Sequence, residues 1–181
     1  MMKFLLAAVN AKYIHSNLGI YSLKACADAC EACGGVEVEL AEYTINHQPE
    51  QVLQDIYRRR PDVLGFSCYI WNITFIRDLL PDLAQILPGT DIWLGGPEVS
   101  YDAEAFLREN PAVDGILCGE GEETFGRLAE YYGQLAEYGG QHGRDAGRYG
   151  RHDCQHSGQR PGQGQAGAAR LKEIPGLVYR E

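Results

Sequence analysis

Basic residues are scarce in this chain. It has 16 Lys and Arg against 25 Asp and Glu over 181 residues, which gives a formal net charge of −9. Proteins that bind nucleic acids use clustered basic side chains to neutralise phosphates, so this balance argues against a nucleic-acid partner. We expect a small cofactor or another protein as the partner.

Long apolar runs are also missing. No stretch approaches the roughly 20 apolar residues that are needed to cross a bilayer. The apolar opening, Lys3 to Val9, is shorter than the core of a secretory signal and reads as a first strand. We therefore expect a cytoplasmic protein with no membrane partner, in which the six cysteines are reduced thiols.

Charge and composition divide the chain near Leu135. Residues 1–134 carry 9 Lys and Arg against 20 Asp and Glu, whereas residues 135–181 carry 7 against 5. The stretch from Gly139 to Gly167 has almost no large apolar residue and cannot bury enough surface to offset its ordering entropy. The pattern predicts a domain over residues 1–135, a Gly-rich flexible linker over 136–170, and the start of a following element over 171–181.

Before this boundary, apolar runs alternate with amphipathic stretches, as expected for five consecutive βα units. The predicted strands are Lys3 to Val9, Val36 to Tyr43, Val63 to Ser67, Asp91 to Leu94 and Gly115 to Cys118. Because crossovers between parallel strands are right-handed, few topologies are open to such a chain. The sequence predicts a flavodoxin-like (Rossmann-like), doubly wound α/β fold with a five-stranded parallel sheet of order 2-1-3-4-5.

Glycines and polar residues are concentrated just after four of the predicted strands. Ligands of open α/β sheets bind beyond the carboxyl ends of the strands, where paired glycines let the backbone approach a bulky group closely. The alternative interpretations are a tight turn at Gly95-Gly96-Pro97 and simple capping of the helix N-terminal amides by Glu122-Glu123. The candidate cofactor-binding residues are Asn10, Tyr13, His15, Ser67, Tyr69, Gly95, Gly96, Pro97, Glu98, Gly119, Glu120, Gly121 and Glu122.

Two of these motifs resemble motifs of a known protein family. Ser67-Cys68-Tyr69, with Gly95-Gly96 somewhat under thirty residues later, is similar to the SxS or SxL and GG motifs of cobalamin-binding folds. With the loops after strands one and five, it resembles the cobalamin (vitamin B12)-binding N-terminal domain of cobalamin-dependent radical S-adenosylmethionine (SAM) enzymes. The resemblance covers about residues 1–135 and implies cobalamin as the cofactor.

The resemblance also implies roles for individual residues. Ser67 and Gly95-Gly96 would line the cleft for the nucleotide tail, and the loops after strands one, three and five would face the corrin ring. The family's DxHxxG motif is altered here, because Tyr13 stands in place of Asp and the glycine lies one residue too far along. Without a carboxylate to orient it, we do not expect His15 to ligate cobalt. No catalytic residue or metal ligand is predicted in the chain.

The implied function is that of a cobalamin-binding module, with a radical SAM barrel as its partner in the same chain or a separate one. A barrel would need about 200 further residues, so the chain is expected to be catalytically silent alone. The [4Fe–4S] cluster and SAM would belong to the missing catalytic domain, and the complete enzyme would commonly transfer methyl groups. A degenerate docking domain that binds nothing, or a flavodoxin-like domain for another ligand, remains the alternative.

Three cysteines follow one another closely within the first predicted helix. Cys26, Cys30 and Cys33 have the CxxxCxxC spacing that holds the iron–sulfur cluster of radical SAM enzymes. Ala32 stands where that family usually has an aromatic residue, and the run lies in a helix rather than a loop. The spacing of i, i+4 and i+7 instead predicts that the three thiols share one helical face, as small buried hydrophobes.

Overall fold

A computed structural model of the chain describes residues 1–12, 16–30, 33–140 and 171–180. In chain order, the elements are β1 (Met2–Asn10), α1 (Leu18–Ala29), β2 (Val36–Thr44), α2 (Pro49–Arg59), β3 (Val63–Ser67), α3 (Ile73–Ile86), β4 (Asp91–Gly95), α4 (Pro97–Ser100), α5 (Ala103–Glu109), β5 (Gly115–Leu117), α6 (Gly121–Gly140), a short 3-10 helix (Leu171–Glu173) and β6 (Leu177–Tyr179). The five predicted strands are all present, with bounds within two residues of those expected.

The strands form one sheet in the order β2-β1-β3-β4-β5-β6. The first five are parallel and follow the predicted order, which confirms the doubly wound α/β fold. The predicted count of five is wrong, because β6 pairs antiparallel with β5, Tyr179 opposite Gly115 and Leu177 opposite Leu117. Gly176, at a φ of 74°, leads into β6, and its carbonyl accepts from the Cys118 N–H at 2.7 Å.

Each face of the sheet is covered by helices. On one face, apolar residues of α2, α3 and α5 pack against the sheet around Leu5, Leu64 and Leu94. On the other, α1 and α6 cover Phe4, Val63 and Trp93. Strands that are buried on both faces have near-continuous apolar sequences, which is why β1, β3 and β4 could be recognised without polar alternation. In the described part of the chain, every helix is too short or too polar to span a bilayer.

The first helix is shorter than its cysteine spacing suggested. It ends at Ala29, and Cys30 has an extended backbone (φ −89°, ψ 108°) with its N–H bonded to the Ala27 carbonyl. Only Cys26 of the three cysteines therefore lies within α1, and the prediction that all three share one helical face is wrong. The tightened last turn ends the helix before Cys33 is reached.

Candidate functional site

The carboxyl ends of the parallel strands bring Ser67 and Gly95 side by side. Ser67 pairs with Gly95 across β3 and β4, and Gly95 pairs with Leu117 of β5. Val63 and Trp93 pack in the core beneath α1 and α6, and side chains alternate along a strand. Ser67 and Gly95 therefore face the same side of the sheet, the side that is covered by α1 and α6.

Ser67 is linked to the start of α1. Its hydroxyl accepts a hydrogen bond from the side-chain amide of Asn17 at 3.3 Å. Asn17 is the N-cap of α1, and its side-chain oxygen accepts from the Ile20 N–H. This arrangement spans β1–α1 and β3 at the point where the strand order reverses, the usual ligand position in such sheets. Since a serine hydroxyl both donates and accepts, Ser67 retains a hydrogen to donate to a ligand.

The two glycines after β4 have different structural requirements. Gly96 has a φ of 106°, and an added Cβ would collide with the backbone carbonyl oxygen of Cys68. At Gly95 an added Cβ would make ordinary contacts, 3.6 Å from the Leu117 carbonyl oxygen. Gly96 is thus required by the fold, while Gly95 could carry a small side chain without a collision. A bulky side chain at Gly96 would test folding rather than ligand access.

Asn72 ties the ends of β1 and β3 together. Its side-chain amide donates to the carbonyls of Val9 and Ser67, both at 2.9 Å, and its oxygen accepts from the Tyr69 N–H at 2.7 Å. The side chain is fully buried. Asn72 directly precedes α3, but its side chain positions the loop after β3 and makes no capping bond to the helix.

An aromatic pair lies on the loop after β3. The rings of Tyr69 and Trp71 stack with centroids 4.5 Å apart and planes within 4°. Trp71 is 46% exposed, and Ile70 between them is 77% exposed. A flat, solvent-exposed aromatic surface beside the strand ends suits a large, partly apolar ligand.

The remaining candidate residues lie after β4 and β5. Pro97 and Glu98 start α4 and are exposed, and Gly119, at a φ of 82°, and Glu120 form the loop between β5 and α6. Gly121 begins α6 and Glu122 lies in its first turn. The Glu122 carboxylate accepts from the Ser22 hydroxyl at 2.8 Å and so connects α6 with α1.

The loop after β1 is only partly described. Tyr13 and His15 lie outside the described residues. Asn10, at the end of β1, is buried, and its side-chain amide donates to Glu42 at 3.0 Å.

Glu42 on β2 is a residue of this region that the sequence interpretation missed. Its carboxylate accepts from the Asn10 amide, the Asn17 backbone N–H at 2.9 Å and the Tyr21 hydroxyl at 2.9 Å. Partial burial opposes its ionisation, but these bonds outweigh that effect and lower the pKa of the Glu42 carboxyl. The contribution to stability is therefore present above the unfolded pKa of about 4.3 and is lost as the pH falls through the lower folded pKa.

Removal of the Glu42 carboxylate is expected to loosen the start of α1. In Glu42→Ala the Asn17 amide loses its acceptor, so its hydrogen exchange at pH 7 should accelerate about fivefold, equivalent to about 1 kcal/mol. Nuclear magnetic resonance exchange rates measure this, with Glu37→Ala as the control, because Glu37 is an exposed glutamate on the same strand. An unchanged Asn17 rate in Glu42→Ala would contradict the role given to Glu42.

A separate groove lies on another part of the described residues. It has a volume of about 500 Å³ and is formed by α2 and α3, at residues such as Leu53, Tyr57 and Ile86. None of the candidate residues contributes to it. This groove is therefore distinct from the candidate site at the strand ends.

Two curated relatives match part of this chain. A 2-(S-pantetheinyl)-carbapenam-3-carboxylate methyltransferase of Streptantibioticus cattleyicolor is 37% identical over 68 residues. The cobalamin-dependent radical SAM methyltransferase TokK of Streptomyces tokunonensis is 35% identical over 68 residues. Each match covers 38% of this chain and 10% of the relative, so the matched region is a small part of each methyltransferase.

Solved structures show the same fold. The cobalamin-dependent SAM radical enzyme OxsB, with aqua-cobalamin and SAM bound, superposes with a TM-score of 0.61 at 18% identity, over 74% of this chain and 19% of OxsB. The radical SAM methyltransferase TsrM from Kitasatospora setae gives a TM-score of 0.59 at 16% identity, over 77% of this chain and 26% of TsrM.

The family model described as the B12 binding domain matches residues 5–129, well over half of the chain. The matched region begins within β1 and ends within α6, so it contains the strand ends and every candidate residue. Its cofactor is cobalamin, and the domain resembles that of cobalamin-dependent radical SAM methyltransferases. The chain belongs to the B12-binding domain family.

Proposed function

We propose that this chain is the cobalamin-binding module of a methyltransferase-type radical SAM enzyme and that it is catalytically silent alone. The observation that carries this proposal is the absence of a side chain at Gly95, which pairs with Ser67 at the ends of β4 and β3. A side-chain-free passage next to a hydrogen-bond donor fits a long nucleotide tail that ends in a heteroaromatic base.

In this proposal the tail enters on the side of the sheet that is covered by α1 and α6. Gly95 leaves the passage clear, and Ser67 donates its hydroxyl hydrogen to a nitrogen of the benzimidazole. The Asn17 amide supports this role, because its bond to the Ser67 oxygen at 3.3 Å fixes the hydroxyl while leaving its hydrogen available. The tail base is then held by the protein and is displaced from cobalt.

The stacked Tyr69 and Trp71 rings are placed against the corrin in the same proposal. Their exposed, flat surface next to the strand ends supports this assignment. Bound cobalamin supplies a cobalt centre that can carry a methyl group. The protein residues bind and orient that cofactor, and none of them is assigned a proton-transfer step. We also propose that His15 does not ligate cobalt, since Tyr13 replaces the carboxylate that would orient its ring.

A radical SAM barrel is the proposed partner, in the same polypeptide or in a separate one. The chain spans 10% of the length of its curated relatives, which leaves most of those enzymes to other domains. The [4Fe–4S] cluster and SAM are assigned to that barrel. The exposure of Ile70 and Trp71 beside the strand ends supports this arrangement, because a second domain could cover this apolar surface.

A comparison of two substitutions tests the proposed tail position. Gly95→Val places a side chain in the passage and should weaken hydroxocobalamin binding at least about tenfold, or about 1.4 kcal/mol. Ser67→Ala removes one hydrogen bond and should weaken binding about fivefold, or about 1 kcal/mol. Dissociation constants are measured by absorbance titration of the folded variants.

Gly126→Ala is the matched control for the glycine substitution. Gly126 lies within α6, where an added Cβ would sit 3.7 Å from the Cys26 sulfur, an ordinary contact. Cobalamin affinity should be unchanged in this variant. Wild-type affinity in Gly95→Val, with its thermal unfolding also unchanged, would overturn the proposed passage.

A further inference from the structure

Three cysteines cluster between the end of α1 and α6, outside the proposed cofactor site. The Cys26 thiol donates to the Glu122 carbonyl at 3.3 Å, and the Cys33 thiol donates to the Gly126 carbonyl at 3.6 Å. Cys26 and Cys33 thus both face α6, while Cys30 caps α1 between them. None of these thiols is used in binding cobalamin as proposed above.

Cys30 and Cys33 have the backbone relationship that a disulfide requires. The Cys33 N–H donates to the Cys30 carbonyl at 3.1 Å, the bond of a turn in which residues i and i+3 lie within about 7 Å. Disulfides form when the Cα atoms are less than about 7 Å apart. The two residues also line one surface depression of about 240 Å³. The two cysteines therefore lie at one surface site, where a small reagent can reach the half-buried Cys30.

The two thiols differ in accessibility. Cys33 is buried, whereas Cys30 is half-buried. Burial raises the pKa of Cys33 to about 12, with further contributions from the hydrogen bond and charge of Cys30. Cys30 is the more accessible of the two thiols, so it is the one that an external reagent meets first. Once Cys30 is bonded to another sulfur, its negative charge no longer opposes ionisation of Cys33.

We propose that Cys30 and Cys33 form a redox-active dithiol that closes to an internal disulfide by exchange with a low-molecular-weight disulfide. The Cys30 thiolate attacks one sulfur of the reagent, the reagent's S–S bond breaks, and one thiol leaves with a proton. The Cys33 thiolate then attacks the Cys30 sulfur, forms the internal bond and releases the second thiol. Two protein thiols are oxidised, and one small disulfide is reduced to two thiols.

This modification site lies between the end of α1 and α6, the two helices that cover the proposed tail-binding face. Oxidation removes the hydrogen that Cys33 donates to the Gly126 carbonyl, and so removes one contact between the end of α1 and α6. The inference does not depend on cobalamin binding, because it is carried by the cysteine geometry alone.

Peptide mapping tests the proposal on the full chain. The reduced protein is equilibrated with oxidised glutathione, free thiols are alkylated, and the product is cleaved after glutamate and analysed by mass spectrometry. Cleavage after Glu31 separates Cys30 from Cys33, so the two fragments stay joined only by a disulfide. We expect the fragments that contain Cys30 and Cys33 to be joined, with Cys26 alkylated. Apart from that alkyl group, the mass of the joined pair should be two hydrogen atoms below the sum of the two reduced fragments.

Two variants test which of the cysteines form the disulfide. Cys26→Ser should form the same linkage as the wild-type protein, and Cys30→Ser should lose it while leaving Cys33 free of glutathione. Glutathione that persists on Cys30 of the wild-type chain, a Cys26–Cys30 linkage, or full alkylation of all three cysteines would each overturn the proposal. The wild-type map decides the question even if a variant fails to fold.

Discussion

Gly96→Ala is expected to destabilise the domain by about 3 kcal/mol or more. The residue has a φ of 106°, which is unfavourable for any side chain, and an added Cβ would also collide with the Cys68 backbone carbonyl. The collision cannot be relieved cheaply, because the Cys68 N–H is itself bonded to the Gly95 carbonyl at 2.7 Å. Urea denaturation at neutral pH measures the change in the free energy of unfolding.

Gly119→Ala is the matched control for this substitution. Gly119 also has a positive φ, 82°, but an added Cβ would meet no atom within 4 Å in the described residues. The expected cost is therefore backbone strain alone, about 1 kcal/mol. Equal losses of stability in the two variants would show that the close approach of Gly96 to Cys68 does not matter.

Asn72→Ala is expected to cost about 3 kcal/mol of folding stability. The substitution leaves the carbonyls of Val9 and Ser67 and the N–H of Tyr69 without their side-chain partner. Each buried polar group that loses its partner costs about 1–3 kcal/mol, although water entering the space offsets part of this. The loop after β3 should also lose its fixed position, since Asn72 is the link between it and both strands.

Two further variants separate the role of Asn72 from a general effect of losing asparagine. Asn110→Ala removes one bond, from the side-chain amide to the Phe106 carbonyl, and should cost about 1 kcal/mol. Asn72→Asp keeps the acceptor for Tyr69 but turns a carboxylate towards two carbonyls, so it should be at least as destabilising as Asn72→Ala. If Asn72→Ala lowered the free energy of unfolding by no more than Asn110→Ala does, the role given to Asn72 would be contradicted. Urea denaturation of all three variants provides the comparison.

Much of the fold could be predicted because the burial of a strand or helix face determines its local pattern of apolar residues. The apolar runs of β1, β3 and β4 follow from strands covered on both faces, and the parallel order follows from right-handed crossovers. The edge strand β6 lies in the stretch that was expected only to begin a following element. Its place in the sheet could not be predicted, because its three residues pair with β5 across a long intervening stretch. Its antiparallel direction depends on a turn at Gly176 that no local pattern specifies.

The candidate site was accessible from sequence only where a short motif carried it. Ser67 and Gly95 could be proposed as candidates from their spacing, whereas the contacts of Glu42, Asn17 and Asn72 near the strand ends could not be predicted. Their contacts join segments that lie far apart in the chain, such as Asn17 with Ser67, and so arise only when the sheet has formed. The end of α1 was missed for a different reason, because cysteine, the residue at the C-cap position Cys30, is not a residue type that marks the end of a helix.

Electron paramagnetic resonance of cob(II)alamin bound to this chain tests the central claim most directly. Free cob(II)alamin at neutral pH has its benzimidazole on cobalt, and the nitrogen splits the cobalt signal. We propose that the tail binds beside Ser67 and that His15 makes no bond to cobalt. Binding should therefore abolish this splitting, and His15→Ala should leave the spectrum unchanged. Three results would contradict the proposed binding mode. They are nitrogen splitting that persists on binding, nitrogen splitting that vanishes only in His15→Ala, and no binding at high micromolar cofactor.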